Sequence, residues 1–546
     1  MPIWVWIIVG VLALAVAAAA LFLPPFSLAE QLGIGGSYTD LAGVAYFHPD
    51  GLSVLAVENL NNLRVEVTTT PREAFLSNLA GEQWQIAHMQ LPSYLTPLSP
   101  IFTIKTRGEG QVVAEMSIPN GAEPYERLAL YAWNKDSGQW EFVPGQINLI
   151  RQMIQFYPST DSLDVMAVHV EPQVPDAALV VSEGGDIPDP RYGFAIVEGV
   201  KIDETGALVG QPVPTSASLI MPLVENRLGG VPAYTDPVLR AALSEQIAAV
   251  VGGSAGVVLD FDWNEGYGDF VTVLSDQLHA QGKRVEVVVR AGDAFKPVLP
   301  AVSASVDRFW VAPGDNPRLY LENGGAQETL DEVVSLVDRS QVGLMIDAGL
   351  VELTGSYGTV RSLDAAVAAA DGVTVVEGYA NPDEAVVEAG TLLPLKLNGS
   401  LEEMGLDLAM GLNYLAYYDA DGQVQYLYFG SASNVRQRLE WANLYSLDAV
   451  AVKGIAHPDA PGDIVSGVSA FLDRQTVDAP APVALAWKVL DETGFEVATA
   501  TGDLTLSQYV FDTSIAPGQY TVTASFDEQG REILIDALAV VVVPAQ

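Results

Sequence analysis

Apolar positions recur in three rhythms along this chain. Between about residues 41 and 172 they form short runs of alternating or continuous β-type residues, such as Ile101–Thr106, Gln111–Ile118, Leu128–Trp133 and Leu163–Val170. Asp136-Ser137-Gly138 marks a turn between two of these runs. Beyond residue 190 strand-like runs alternate with helical ones. Ala217–Glu225, Val257–Phe261, Val285–Arg290, Asp307–Ala312, Val342–Ala348, Val373–Glu377 and Ala449–Val452 read as strands. Asp236–Val251, Asp269–Ala280, Gln327–Val337, Ser362–Ala369 and Ser433–Tyr445 read as the helices between them. The first helix carries clear signals. Asp236 caps it, Pro237 suits its first position, and Val238, Leu239, Leu243, Ile247 and Val250 line one face. After about residue 476 the pattern returns to β runs, from Val483–Leu490 to Ile533–Val543.

Repeated β/α units spread over nearly 300 residues predict a parallel sheet, and their number and length favour a closed (β/α)8 barrel of the TIM type. The β-only segments predict sandwiches, the second of immunoglobulin-like type. Ile3–Leu23 has no charged side chain, and at 1.5 Å per residue it covers about 30 Å, one hydrocarbon core. The fold class expected is therefore multidomain, mixed α/β and all-β. Residues 1–25 form a transmembrane helix, 26–40 a tether, 41–172 a β-sandwich and 173–190 a linker. Residues 191–475 form the barrel and 476–546 the immunoglobulin-like sandwich. A signal peptide is the alternative for the first segment, although no basic residue precedes Arg64. With the anchor retained, the expected location is the membrane, with the bulk of the chain at the cell surface.

Charge removes several functions. The chain has 26 basic and 68 acidic residues, a net charge of −42. Nucleic-acid binding needs a basic footprint that is missing here. Only eight residues are lysine, a composition that fits a salt-adapted acidic surface. With no cysteine, disulfides and thiolate chemistry are excluded. The five histidines have no zinc-ligand spacing, and no glycine-rich phosphate loop occurs. No metal site and no cofactor is expected.

The candidate chemistry lies in Gly256–Glu265, GVVLDFDWNE. Asp260 and Asp262, two apart on a strand, point to one face, and in a barrel the C-terminal end of a strand faces the active-site mouth. The order MPLVEN (221–226), TDPVLRAALSEQIAAVV (235–251), GVVLDFDW (256–263) resembles glycoside hydrolase family 18, in its chitinase and spore-germination branch. VDRFWVAPGD (306–315) and YLYFGSASNVRQRLEWANLYSLDAVAV (426–452) extend that likeness, which spans roughly residues 180–473. The resemblance implies a retaining outcome with the substrate's N-acetyl carbonyl as nucleophile, a Glu as proton donor and an Asp two residues before it as support. Anchored on Gly256, the motif places Asp260 at the supporting Asp and Asp262 where the Glu belongs. Shifted by two, it places Asn264 there, with Glu265 on the opposite face. Neither register supplies the Glu. Replacing Glu by Asp shortens the donor by roughly 1.3–1.5 Å, where a misplacement of about 1 Å costs ~10²-fold. Ala312-Pro313 also replace a tyrosine region of the motif, and Lys453 stands near the place of a tryptophan.

Three functions stay open at this stage. The first is a membrane-anchored, outward-facing family 18-like protein that binds an N-acetylglucosamine glycan, chitin-like or peptidoglycan, with little or no hydrolysis. The second is an atypical glycosidase with Asp262 as acid and Asp260 as partner. The third is a cell-surface scaffold whose β-sandwiches bind protein partners. Trp263, Tyr267, Trp310 and Tyr379 are candidate ligand-binding aromatics, with packing as their alternative role.

Overall fold

The computed structural model describes residues 38–41, 44–182, 191–227, 236–264, 266–322, 324–354, 357–377, 385–455, 463–528 and 530–545. The chain divides into two units, Met1–Glu171 and Pro172–Gln546. The expected transmembrane helix is corrected here. Among the described residues no helix is long and apolar enough to cross a membrane, and Ile3–Leu23 lies outside them. The membrane partner, the anchor and the outward-facing location that rested on that helix are withdrawn with it.

The first unit is a ten-stranded, antiparallel sheet system. Two long strands, Leu52–Thr70 and Ile101–Ser117, pair along most of their length. Their inward residues, among them Val54, Val65, Phe102 and Ile104, form one apolar core. A second core holds Trp133 and Trp140 against Phe75. The Trp140 indole donates to the Ala87 carbonyl at 2.8 Å, so this aromatic pair serves packing. The short helices Arg72–Leu76 and Glu82–Met89 cover that core, in a segment whose sequence reads as β only.

The second unit contains the barrel. Its strands are β1 (Asp176–Val181), β2 (Tyr192–Ile202), β3 (Ile220–Asn226), β4 (Gly256–Phe261), β5 (Arg284–Arg290), β6 (Arg308–Ala312), β7 (Val342–Asp347) and β8 (Ala449–Lys453). Each pairs in parallel with the next, and β1 pairs in parallel with both β2 and β8, which closes the ring. The barrel begins earlier than its periodicity suggests, because β1 falls in the stretch read as a linker. The helices described around it are α1 (Pro237–Val251), α2 (Tyr267–His279), α3 (Leu299–Val302) and α4 (Gly325–Val334), with two more flanking the last strand.

The local physics of these elements is ordinary. Asp236 accepts from the Val238 and Leu239 amides at 2.7 and 3.3 Å, which satisfies donors the first turn of α1 leaves free. The buried face of α1 is Leu243, Ile247 and Val251, whereas Val238 and Leu239 are exposed, so the expected apolar face is rotated. On β4, Val257, Leu259 and Phe261 pack outward on the helical layer. Val258 joins Phe194, Met221, Leu223, Val288 and Trp310 inside the barrel. A Cβ on Gly343 of β7 would lie 2.5 Å from the Trp310 ring, so glycine there makes room for the indole.

Between β7 and β8 the chain leaves the barrel. Strands Leu350–Thr354, Tyr357–Arg361, Leu401–Asp407, Leu412–Tyr418 and Val424–Tyr428 form an antiparallel five-stranded sheet. Helix α5 (Asp364–Ala370) and strand Val373–Val375, read from sequence as another barrel unit, belong to this excursion. Helix α6 (Ala432–Leu444) then returns to β8, and α7 (Ile464–Leu472) follows. Val386–Glu388 pairs with the C-terminal strand Arg531–Val543, and Leu392–Leu397 pairs with Gln508–Asp512. Leu393, Leu395, Trp487, Phe511 and Val522 share one core. The C-terminal β layer is thus completed by strands that precede residue 476.

Candidate functional site

Strand β4 delivers Asp260 to the C-terminal mouth of the barrel. Alternation from Val258 turns its side chain inward, and the carboxyl is 2% exposed. Asp262 follows just past the strand end. Its amide donates to the Asn226 carbonyl at 3.1 Å, and its side chain is 41% exposed. The structure brings both carboxylates to the C-terminal end of β4, each within reach of Arg227.

Two arginines claim Asp260. Arg227, one residue past β3, places Nε 2.7 Å and Nη2 2.6 Å from Oδ1. Arg290, the last residue of β5, donates from Nε to Oδ1 at 3.1 Å and from Nη2 to Oδ2. Arg227 also reaches Asp293 at 2.8 Å and Asp262 at 3.3 Å. Asp293 in turn accepts from the Arg290 amide at 2.8 Å. Three carboxylates and two guanidiniums therefore form one connected cluster across the ends of β3, β4 and β5. Neither arginine was identified from the sequence. Their signal was available, since a basic residue at the end of each strand flanking a buried Asp is the cheapest way to compensate it.

Electrostatics follow from this arrangement. Burial alone would raise the Asp260 pKa, but Arg290 and Arg227 outweigh it and hold the carboxyl below its ordinary range. Burial would lower the Arg227 pKa, and Asp293 and Asp260 overcome that as well. Asp260 is thus a fixed anion at neutral pH. It has neither a proton to give nor the freedom to swing towards a substrate.

A second set of carboxyls rims the same mouth. Glu225 continues the inward series Met221, Leu223 on β3 and stands in register beside Asp260. Burial raises its pKa, and the nearby Glu198 and Asp260 raise it further. Glu198 of β2 pairs with Lys453 of β8 at 2.7 Å. Asp347, ending β7, is pushed up by burial and by Asp315. Glu225 was missed from sequence, although the alternation that points out Asp260 also runs through MPLVEN. Among the described residues no group of three His, Cys, Asp or Glu side chains is placed to hold a metal ion.

The expected aromatics lie elsewhere. Trp263 is 4% exposed in the helical layer, and its indole donates to the Val288 carbonyl at 3.0 Å. Tyr267 is fully buried beside it, the two rings 5.0 Å apart. Trp310 is inside the barrel and donates to the buried Glu286 at 2.7 Å. None of these three presents a ring face to solvent. Tyr379 and Glu265 lie outside the described residues.

No protein-family model and no curated protein matches the chain. Among solved structures, a chitinase from Chromobacterium violaceum is similar at 16% identity and a TM-score of 0.35, covering 55% of this chain and 99% of its own. The Bacillus cereus spore cortex-lytic enzyme SleL is similar at 12% identity and a TM-score of 0.37, covering 76% of this chain and 99% of its own. Catalytic domain 2 of the group II chitinase from Ostrinia furnacalis gives 12% identity and a TM-score of 0.36, with coverage of 57% and 99%. The barrel assignment stands on the strand pairing above.

Proposed function

We propose that the barrel mouth binds an N-acetylglucosamine-containing glycan, chitin-like or peptidoglycan, without efficient hydrolysis. The observation that carries the absence of hydrolysis is the double arginine clamp on Asp260. At the place where the family motif has an Asp that supports the substrate's acetamido group, this chain has an anion committed to Arg227 and Arg290. At the place of the proton donor it has the shorter, half-exposed Asp262. Losing a general acid costs about 10²–10⁴-fold in rate, and losing the partner compounds that loss. The choice of glycan comes from the sequence resemblance, and the polar rim of Glu198, Glu225, Asp262 and Lys453 offers hydrogen-bonding groups to such a ligand.

The test is calorimetric titration of chitotetraose and of a peptidoglycan tetrasaccharide into the full chain, beside a turnover assay. Saturable binding weakened by Asp262→Ala, with both sugars recovered intact, is expected. Cleavage that is abolished in Asp262→Ala would replace this reading with the atypical glycosidase. Neither binding nor cleavage would remove both.

A further inference from the structure

The β7–β8 excursion borders an open cleft of about 670 Å³ between its five-stranded sheet and α5. That volume lies within the range of small-molecule sites. We infer that this cleft is a second ligand site, separate from the barrel mouth, and that it takes a neutral, hydroxyl-rich ligand, a saccharide.

The cleft is held open by small residues. Helix α5 presents Ala365 and Ala368 to it. The facing loop is pressed against the helix, because a Cβ on Gly399 would lie 2.0 Å from the Ala369 carbonyl oxygen. Ala365, Ala368 and Gly399 have no side chain that could swing into the space. Another wall carries a fixed polar group. Glu352 is 9% exposed, and its two carboxyl oxygens accept from Arg361 Nε and from the Tyr417 hydroxyl. A buried carboxylate is costly unless it is paired and hydrogen-bonded, and this one is both. Arg361 remains about half exposed at the cleft. Tyr418 contributes a 42% exposed ring.

Charge selects the ligand class. Among the described residues, Glu352, Asp371 and Asp419 line the cleft against the single cation Arg361, so phosphates and other anions are repelled. The described residues of the walls include no large aliphatic side chain, which leaves nothing for a lipid tail. Carboxylate acceptors, the Asn398 amide, the arginine fork and one exposed ring match a sugar, whose hydroxyls both donate and accept and whose faces stack on aromatics.

Calorimetric titration of chitotetraose, cellotetraose and maltotetraose into the full chain tests this, with inorganic phosphate as the anionic probe. The expected result is a binding event for at least one sugar that weakens at least ten-fold in Ala368→Trp, which fills the cleft, and in Tyr418→Ala, and that survives in Asp262→Ala. Ala368 and Tyr418 are exposed, so both variants leave the core intact. No sugar binding, binding indifferent to both cleft variants, or phosphate binding without sugar binding would overturn the inference. Loss of binding at the barrel mouth alone, seen in Asp262→Ala, leaves this event in place and so separates the two sites.

Discussion

Asp260 gives up its hydration on entering the barrel and recovers the cost from two guanidiniums. Removing that charge takes the carboxylate from Arg290 and leaves Arg227 with Asp293 and Asp262 alone. Asp260→Asn is expected to lower stability by about 1–3 kcal/mol, read as a shift in urea midpoint at unchanged slope. The pH dependence has a definite sign. The folded pKa of Asp260 lies below its ordinary 3.8, so its contribution is full above that value and disappears as pH falls through the depressed folded one. The stability gap between wild type and Asp260→Asn should therefore be constant from neutral pH to about 4 and close below it. Glu225 behaves oppositely. Its folded pKa lies above 4.5, so its ionisation penalises the fold as pH rises through the raised value. Glu225→Gln should leave neutral-pH stability unchanged or higher, and a loss there would show that its carboxylate has a partner worth keeping.

At the scale of elements, β4 and α1 were legible because their signals are local. An apolar run ending in Asp-Phe-Asp, and an Asp-Pro start, need no knowledge of the rest of the chain. The inward direction of Asp260 followed from alternation alone. What was not legible depends on partners distant in sequence. β1 reads as part of a proline-rich boundary, and only its pairing with β8 makes it a barrel strand. Helix α5 and the strand after it have sound β/α patterning, yet they pack into the core shared with Trp487 and Phe511. The aromatics after β4 looked like ligand platforms because composition cannot tell the helical layer from the mouth. Packing inside the barrel makes its own prediction. Gly343→Ala would push a methyl group into the Trp310 ring, and a destabilisation of about 1–3 kcal/mol is expected in thermal or urea unfolding. An unchanged midpoint would mean that the indole can shift.

Over the whole molecule, the second unit is one fabric from the barrel to the last strand. Ending the chain after Gln475 would remove Trp487, Phe511 and Val522 and expose Leu393 and Leu395 of the excursion. Such a truncation is expected to lose cooperative melting of the excursion and to bind an apolar dye, rather than leave an intact barrel with its insert. The net charge of −42 acts over the same scale through self-repulsion. Raising salt from about 0.05 to 1 M shortens the screening length from above 10 Å to about 3 Å and should raise the melting temperature. The central claim is a barrel mouth that holds a glycan and does not cut it. Its most direct test is mass analysis of chitotetraose and of a peptidoglycan tetrasaccharide recovered from calorimetric titrations of the full chain. The clamp on Asp260 predicts saturation with intact oligosaccharide, and shortened products, or no saturation with either sugar, would contradict it.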